Sequence, residues 1–432
     1  MNWEFLIKDK DSLLVSTDTR NLPAGCVFFA LHGANFDGNK FAKQALDQGA
    51  SLVVVDDPEV YNTHNQSPIA HCPSPIANSR ILLVENTLLA LQDLARAWRR
   101  ELGLPIIGIT GTNGKTTTKE LLATVLSTKY NIHYTQGNLN NQIGVPLTLL
   151  QITRAHEMAI VEMGASHPGD IKELVDIAEP NCGLITNVGR AHLEGFGSFE
   201  GVQRTKQELY DYLVAHQGII FRNTDNPYLT QMHIGALLSL EPLEPLEQQL
   251  AALRTSRKLI AYTTGTMPSG THLVGEYNAE NVSAAICVGE YFGISREQAL
   301  EAIRQYIPTN NRSQKMQTAN NQLIVDAYNA NPTSMQAAIN AFKGDTYILG
   351  AMRELGEYSH LEHQNIVNML AERKADFVFL VGEEYLQTTS PYPVFENVEL
   401  LHKHLEEQPI KGKNILLKGS RSTKMEKLLD IL

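Results

Sequence analysis

The sequence predicts an α/β protein of three domains. The central one is a P-loop-type, mostly parallel sheet with helices on both faces. A Rossmann-like α/β domain follows it, and a smaller α/β domain precedes it. Three observations predict this. The chain has 432 residues, and at about 150 residues per domain that gives roughly three. Short apolar runs alternate with helical stretches, the rhythm of βαβ units. At residues 106–127 an apolar run leads through a glycine-rich turn into a helix, the context a phosphate-binding loop requires.

In the first domain, residues 26–31 and 51–55 read as buried strands. Residues 41–49 read as a helix stopped by Gly49. Residues 62–79, rich in Pro, Ser, Asn and His, read as a surface loop. Residues 86–102 form an amphipathic pattern, and Gly103 and Pro105 mark its end and a linker. In the second domain the strand 106–110 and the helix 115–127 are followed by apolar runs at 158–161, 183–186 and 218–221. Residues 241–249 look like an excursion from the core, and 278–292 and 296–306 read as helices. In the third, strands at 322–325, 346–349, 377–381 and 414–417 are separated by helices at 332–342, 361–373 and 423–432. There is no internal repeat and no low-complexity tract.

Composition narrows the function. With 43% hydrophobic and 19% charged residues the chain is that of a globular protein. A net charge of −11 argues against broad nucleic-acid binding, while leaving local phosphate binding open. No apolar run approaches the roughly 18 residues of a membrane span. Met1-Asn2-Trp3-Glu4-Phe5 lacks the basic start of a signal peptide, so a cytoplasmic location is expected. Cys26, Cys72, Cys182 and Cys287 have neither metal-ligand nor redox spacing and read as buried thiols.

The strongest local signal is Gly111-Thr112-Asn113-Gly114-Lys115-Thr116-Thr117. Glycines let backbone N–H groups approach phosphate oxygens, and the helix start adds orphan donors and partial positive charge. Lys115 is placed to reach the β- and γ-phosphates, and the Thr116 hydroxyl to reach Mg²⁺. The generic pattern wants a glycine where Ile109 stands, so this loop is a shorter one. An accidental glycine turn is the alternative.

Phosphoryl transfer needs Mg²⁺ held by oxygen ligands. Glu162 ends an apolar strand at the carboxyl edge of the expected sheet, where ligands of open α/β sheets bind, or else is a plain surface carboxylate. His192 follows another strand, where a lone His is often structural. Lys206 lies on an amphipathic helix, as a solvated lysine would. Asn278 suits a helix cap, and Asp326 at a strand end suits a ribose hydroxyl.

The loop 111–117 resembles the ATP loop of the Mur ligase family, the ATP-dependent amide ligases of peptidoglycan precursors. Glu162-Met163-Gly164 and residues 191–197 resemble its motifs as well. The resemblance implies that Glu162 and His192 help hold Mg²⁺ and that Lys206 is a carbamylated lysine binding a second ion. It places Asn281 beside adenine, Arg312 on the ATP phosphates and Asp326 on the ribose. Asn311-Arg312 stands where the family has Gly-Arg. Asp18-Thr19-Arg20, Asp37 and Gly38 resemble a UDP-sugar domain, with Thr where Ser is usual. The block 137–146, with Asn138, Asn140 and Asn141, and the blocks 326–335 and 349–356 resemble the branch that adds D-alanyl-D-alanine to UDP-N-acetylmuramoyl-tripeptide.

Domains at 1–103, 104–308 and 309–432 are then expected to bind the UDP-sugar, to bind ATP, and to close the site. The expected enzyme is a cytoplasmic monomer that uses ATP and Mg²⁺ to form an acyl phosphate. The alternatives are a family member adding the third amino acid, lysine or diaminopimelate, and a P-loop ATPase that is not a ligase.

Overall fold

In the computed structural model, residues 2–33, 36–64, 80–232, 259–309 and 311–432 are described. The expected excursion at 241–249, Cys72 and most of the expected loop 62–79 lie outside them. Residues 62–64 end the helix Pro58–His64.

Three main sheets carry the chain. In the first, Val15–Ser16, Val27–Phe29, Leu52–Val55 and Ile81–Leu83 lie side by side, every pair parallel. The central sheet has six strands in the order Leu259–Tyr262, Ile219–Asn223, Cys182–Ile185, Ile106–Thr110, Met158–Glu162, Ile132–Tyr134. Its innermost members are buried at every residue, which is why they are unbroken apolar runs and not alternating ones. The third sheet has the order Gln314–Gln317, Gln322–Asp326, Asn414–Lys418, Thr346–Gly350, Phe377–Val381, Val394–Phe395. Its first pair is antiparallel and the others are parallel. Separate apolar clusters, one around Met335, Leu349 and Ile366 and one around Leu401, Leu417 and Leu428, give this domain the doubly wound character expected of it.

By backbone proximity the chain divides into two compact units. The first comprises residues 1–108, 130–164 and 170–182. Its organising element is the helix Thr87–Leu102, capped by Asn86 Oδ1, which accepts from Leu89 N–H, and ended by Gly103 in the left-handed region. Trp98 on this helix is fully buried and donates from Nε1 to Ile152 O at 2.8 Å. Arg99 donates to Glu179 O and Asn181 Oδ1.

The second unit comprises residues 109–129, 165–169 and 183–432. In it, the helix Lys115–Leu126 packs on Asn278–Tyr291.

One expected element is corrected. Residues 423–432 do not form an α-helix; two 3-10 turns, Arg421–Thr423 and Met425–Leu428, stand there. Lys424 between them has φ +51°, a left-handed residue that an α-helix does not accommodate. Cys26 and Cys182 are buried as expected, and Cys287 is half-buried. Burial pushes the Cys182 thiol up to about 12.

Candidate active site

The strand Ile106–Thr110 delivers the glycine loop to the start of the helix Lys115–Leu126. Gly111 and Gly114 have φ +145° and +78°. A side chain on Gly111 would collide with Thr186 Oγ1, and one on Gly114 with Asn281 Oδ1. Both positions therefore need glycine for conformation and for space.

The loop is held from outside. Thr112 N–H donates to Asn187 O at 2.9 Å, and Asn113 N–H to Asn187 Oδ1 at 2.9 Å. Thr186 Oγ1 donates to Asn113 O at 2.5 Å. Asn331 Nδ2 donates to Asn113 Oδ1 at 2.8 Å, while Asn331 Oδ1 caps the helix Pro332–Ala341. Lys115 Nζ donates to Gly111 O at 2.7 Å and Thr112 O at 3.2 Å. Thr116 is buried and Thr117 half-buried. Asn281 is buried, accepts from Thr118 Oγ1 and donates to Asn278 Oδ1. Asn278 is not the cap of its helix; it donates instead to Val274 O.

His192 lies at φ +52° before the helix Leu193–Phe196, and its Nδ1 pairs with the Glu354 carboxylate. That bond holds the Glu354 carboxyl below the usual carboxylate range, against the opposing effect of its partial burial. Lys206 is 2% exposed, so it is not a solvated lysine; its Nζ lies 5.6 Å from the Phe196 ring centre. Asp326 accepts from Lys418 Nζ at 2.6 Å and from Ser313 N–H at 3.4 Å. The Arg312 guanidinium stacks 3.9 Å from the Tyr328 ring centre, and Arg421 approaches the same ring at 5.6 Å. Four non-glycine residues here, His192, Asn311, Ser313 and Glu354, have positive φ, a clustering typical of functional sites.

In the first unit, Glu162 is 2% exposed and its Oε1 accepts from Asn140 Nδ2 at 2.8 Å. Its N–H donates to Thr135 Oγ1. Asn141 Oδ1 accepts from Ile143 and Gly144 N–H, and Asn138 O accepts from Asn140 N–H. Asp18 takes a forked bond from Arg20, which holds its carboxyl at about 2. Asp37 accepts from Asn39 N–H, opening the turn Gly38–Phe41. The expected residues are thus gathered locally: Asp18 with Arg20, Glu162 with Asn140, and the glycine loop with Asn281. Among the described residues no cluster of three or more His, Cys, Asp or Glu side chains could hold a metal by itself.

Sequence reasoning assigned no role to Asn187, Asn331, Glu354 or Lys418. Each contacts an expected residue from far along the chain. Asn331 and Glu354 lie within the blocks 326–335 and 349–356 noted above, and Lys418 closes a strand whose three middle residues are apolar.

A glycine loop at a parallel strand's end, with polar side chains from a second α/β domain bonded to its region, defines a nucleotide-using α/β enzyme. The chain matches the Mur ligase family catalytic domain over residues 14–99, the Mur ligase middle domain over 109–289 and the Mur ligase glutamate ligase domain over 311–421. The chain belongs to the Mur ligase family. Among its relatives, the UDP-N-acetylmuramoyl-tripeptide–D-alanyl-D-alanine ligase of Bacillus subtilis is 34% identical, covering 96% of this chain and 92% of that one. The ligase of the same name from Escherichia coli is 31% identical over 97% and 93%. The MurF ligase of Thermotoga maritima in complex with ADP superposes with a TM-score of 0.77 at 26% identity, covering 98% of each chain. MurF from Acinetobacter baumannii gives 0.77 at 28% identity, covering 96% and 92%.

Proposed function

We propose that this chain joins the terminal carboxylate of UDP-N-acetylmuramoyl-tripeptide to the amine of D-alanyl-D-alanine, with ATP converted to ADP and phosphate. It is an ATP-dependent ligase forming an amide bond. The observation that carries the dipeptide assignment is the 34% identity, over 96% of the chain, with a ligase of that name.

The reaction has two displacements. A carboxylate oxygen attacks the γ-phosphorus and the bond to ADP breaks, giving an acyl phosphate. The amine attacks the acyl carbon, the bond to phosphate breaks, and the amine gives up a proton. Lys115, now bonded to its own loop carbonyls, turns to the phosphates and offsets their charge. Loop amides and the helix start bind the same oxygens. Asp326 receives the ribose, Arg312 the phosphates, and Asn281 supports the adenine end. Asp18, Arg20, Asp37 and Gly38 bind the UDP-sugar, and Asn138, Asn140 and Asn141 line the substrate side.

In this reading each proposed Mg²⁺ ligand suits the ion by its own chemistry. The Thr116 hydroxyl and the Glu162 carboxylate are hard oxygen donors, and His192 keeps Nε2 for a ligand while Nδ1 faces Glu354. Bound Mg²⁺ would draw charge from the transferring phosphoryl group. Lys206 would serve a second ion only as a carbamate, which replaces the ammonium by an anionic oxygen donor.

The reading divides the chain at 1–103, 104–308 and 309–432, and takes the protein to be a cytoplasmic monomer. Among the described residues no helix is long and apolar enough to cross a membrane. The test is ADP release with UDP-N-acetylmuramoyl-tripeptide, comparing D-alanyl-D-alanine with single amino acids. Turnover with a free diamino acid and none with the dipeptide would sink the assignment.

A further inference from the structure

Residues 187–190 are bonded on two sides. Toward the phosphate loop, Asn187 accepts from Thr112 and Asn113 N–H, and Gly189 N–H donates to Thr112 Oγ1 at 2.9 Å. Toward the third domain, Arg190 N–H donates to Thr333 Oγ1 at 3.0 Å, and the Arg190 guanidinium pairs with Glu362 at 3.2 Å. The Glu362 side chain is 4% exposed and that of Arg190 is 53% exposed. The arginine therefore reaches from the surface to a buried carboxylate, and burying that charge unpaired would be costly. Two residues before Thr333, Asn331 holds Asn113 of the loop itself.

We propose that Arg190 and Thr333 are positioning residues for the ligase reaction. They fasten the segment carrying Asp326 and Arg312 to the turn that holds the phosphate loop, so that loop and segment are set together. Neither touches the reacting atoms. Their effect falls on the rate of turnover and not on affinity for the UDP-sugar, whose proposed residues belong to the first domain. This rests on the ligase reading above.

The test compares the wild-type protein with Thr333→Val and with the double variant Arg190→Ala/Glu362→Gln. Valine keeps the shape of threonine without its hydroxyl. The double variant removes both charges and leaves no orphan carboxylate, so both should fold. The expected result is a kcat lowered roughly tenfold, with Tm and the KM for the UDP-sugar substrate near wild type. Arg190→Lys, which keeps the charge but not the fork, should fall between. A second measurement needs no ligase activity: ADP should slow hydrogen exchange at amides 333–336 in the wild type and not in the double variant. A wild type without ligase turnover overturns the functional reading and leaves this exchange test standing. Unchanged kcat and unchanged ADP-linked protection in the variants overturn the inference. So does a loss of kcat that merely follows a loss of Tm.

Discussion

Lys418 and Asp326 are paired neighbours across two parallel strands, and the Lys418 ammonium lies 2.6 Å from Asp326 Oδ2. Each closes its strand, so both charges stand at the carboxyl edge of the sheet, where α/β proteins bind ligands. The Lys418 side chain is 1% exposed and that of Asp326 is 16% exposed. The lysine is thus an internal counter-ion that leaves the outer side of the carboxylate open.

Replacing Lys418 by methionine keeps the chain length and removes the charge. Asp326 would then rest on Ser313 N–H alone among its bonds given above. Breaking a buried pair this way costs about 3–5 kcal/mol when both ends are fully buried, and less here because Asp326 reaches solvent. We expect a lower Tm and a raised KM for ATP. Asp326→Asn leaves the more deeply buried Lys418 ammonium without its counter-charge, so it should lower the Tm as well as raise the KM. Thermal unfolding and ATP titration of the two variants check this.

Lys115→Met separates chemistry from folding. The bonds of Lys115 to Gly111 O and Thr112 O are local ones within its own loop. We therefore expect an unfolding free energy within about 1 kcal/mol of wild type. Loss of a charge-stabilising donor should lower ADP release by roughly a hundredfold or more. A variant that keeps wild-type turnover removes Lys115 from the mechanism.

How much of this was legible depends on distance along the chain. The strands Ile106–Thr110 and Phe377–Val381 announce themselves because interior strands are apolar runs. The edge strand Gln314–Gln317 does not, since alternate residues face solvent and antiparallel pairing to Gln322–Asp326 holds it. The glycine loop was legible because its chemistry lies within seven consecutive residues. The contacts that fix it were not. Asn113 meets Asn187 and Asn331 across 74 and 218 residues, and Lys418 meets Asp326 across 92. Only the fold brings such pairs together, and nothing in local periodicity encodes them.

Glu162→Gln probes the metal. The amide of glutamine keeps an acceptor for Asn140 Nδ2, so the buried side chain stays bonded while its charge is lost. We expect the Mg²⁺ concentration for half-maximal turnover to rise roughly tenfold or more, with little change in the KM for D-alanyl-D-alanine. An unaltered Mg²⁺ activation curve would show that Glu162 is not a ligand.

His133 sets a pH limit on stability in the first unit. Burial, and then the charge of His156 with its ring 5.3 Å away, push the His133 imidazole down to about 4. An unfolded histidine titrates near 6.5. Between these values the unfolded chain binds the proton and the folded chain does not, so folding is weakened as pH falls. The contribution is complete above about pH 6.5 and is progressively lost toward pH 4, by at most about 1.4 kcal/mol per pH unit. The denaturation midpoint should therefore decline with acid across this window. His133→Leu, which fills the space without a titrating group, should decline less steeply. NMR titration of the His133 ring supplies the direct check: a midpoint near 6.5 in the folded protein would remove His133 as the cause.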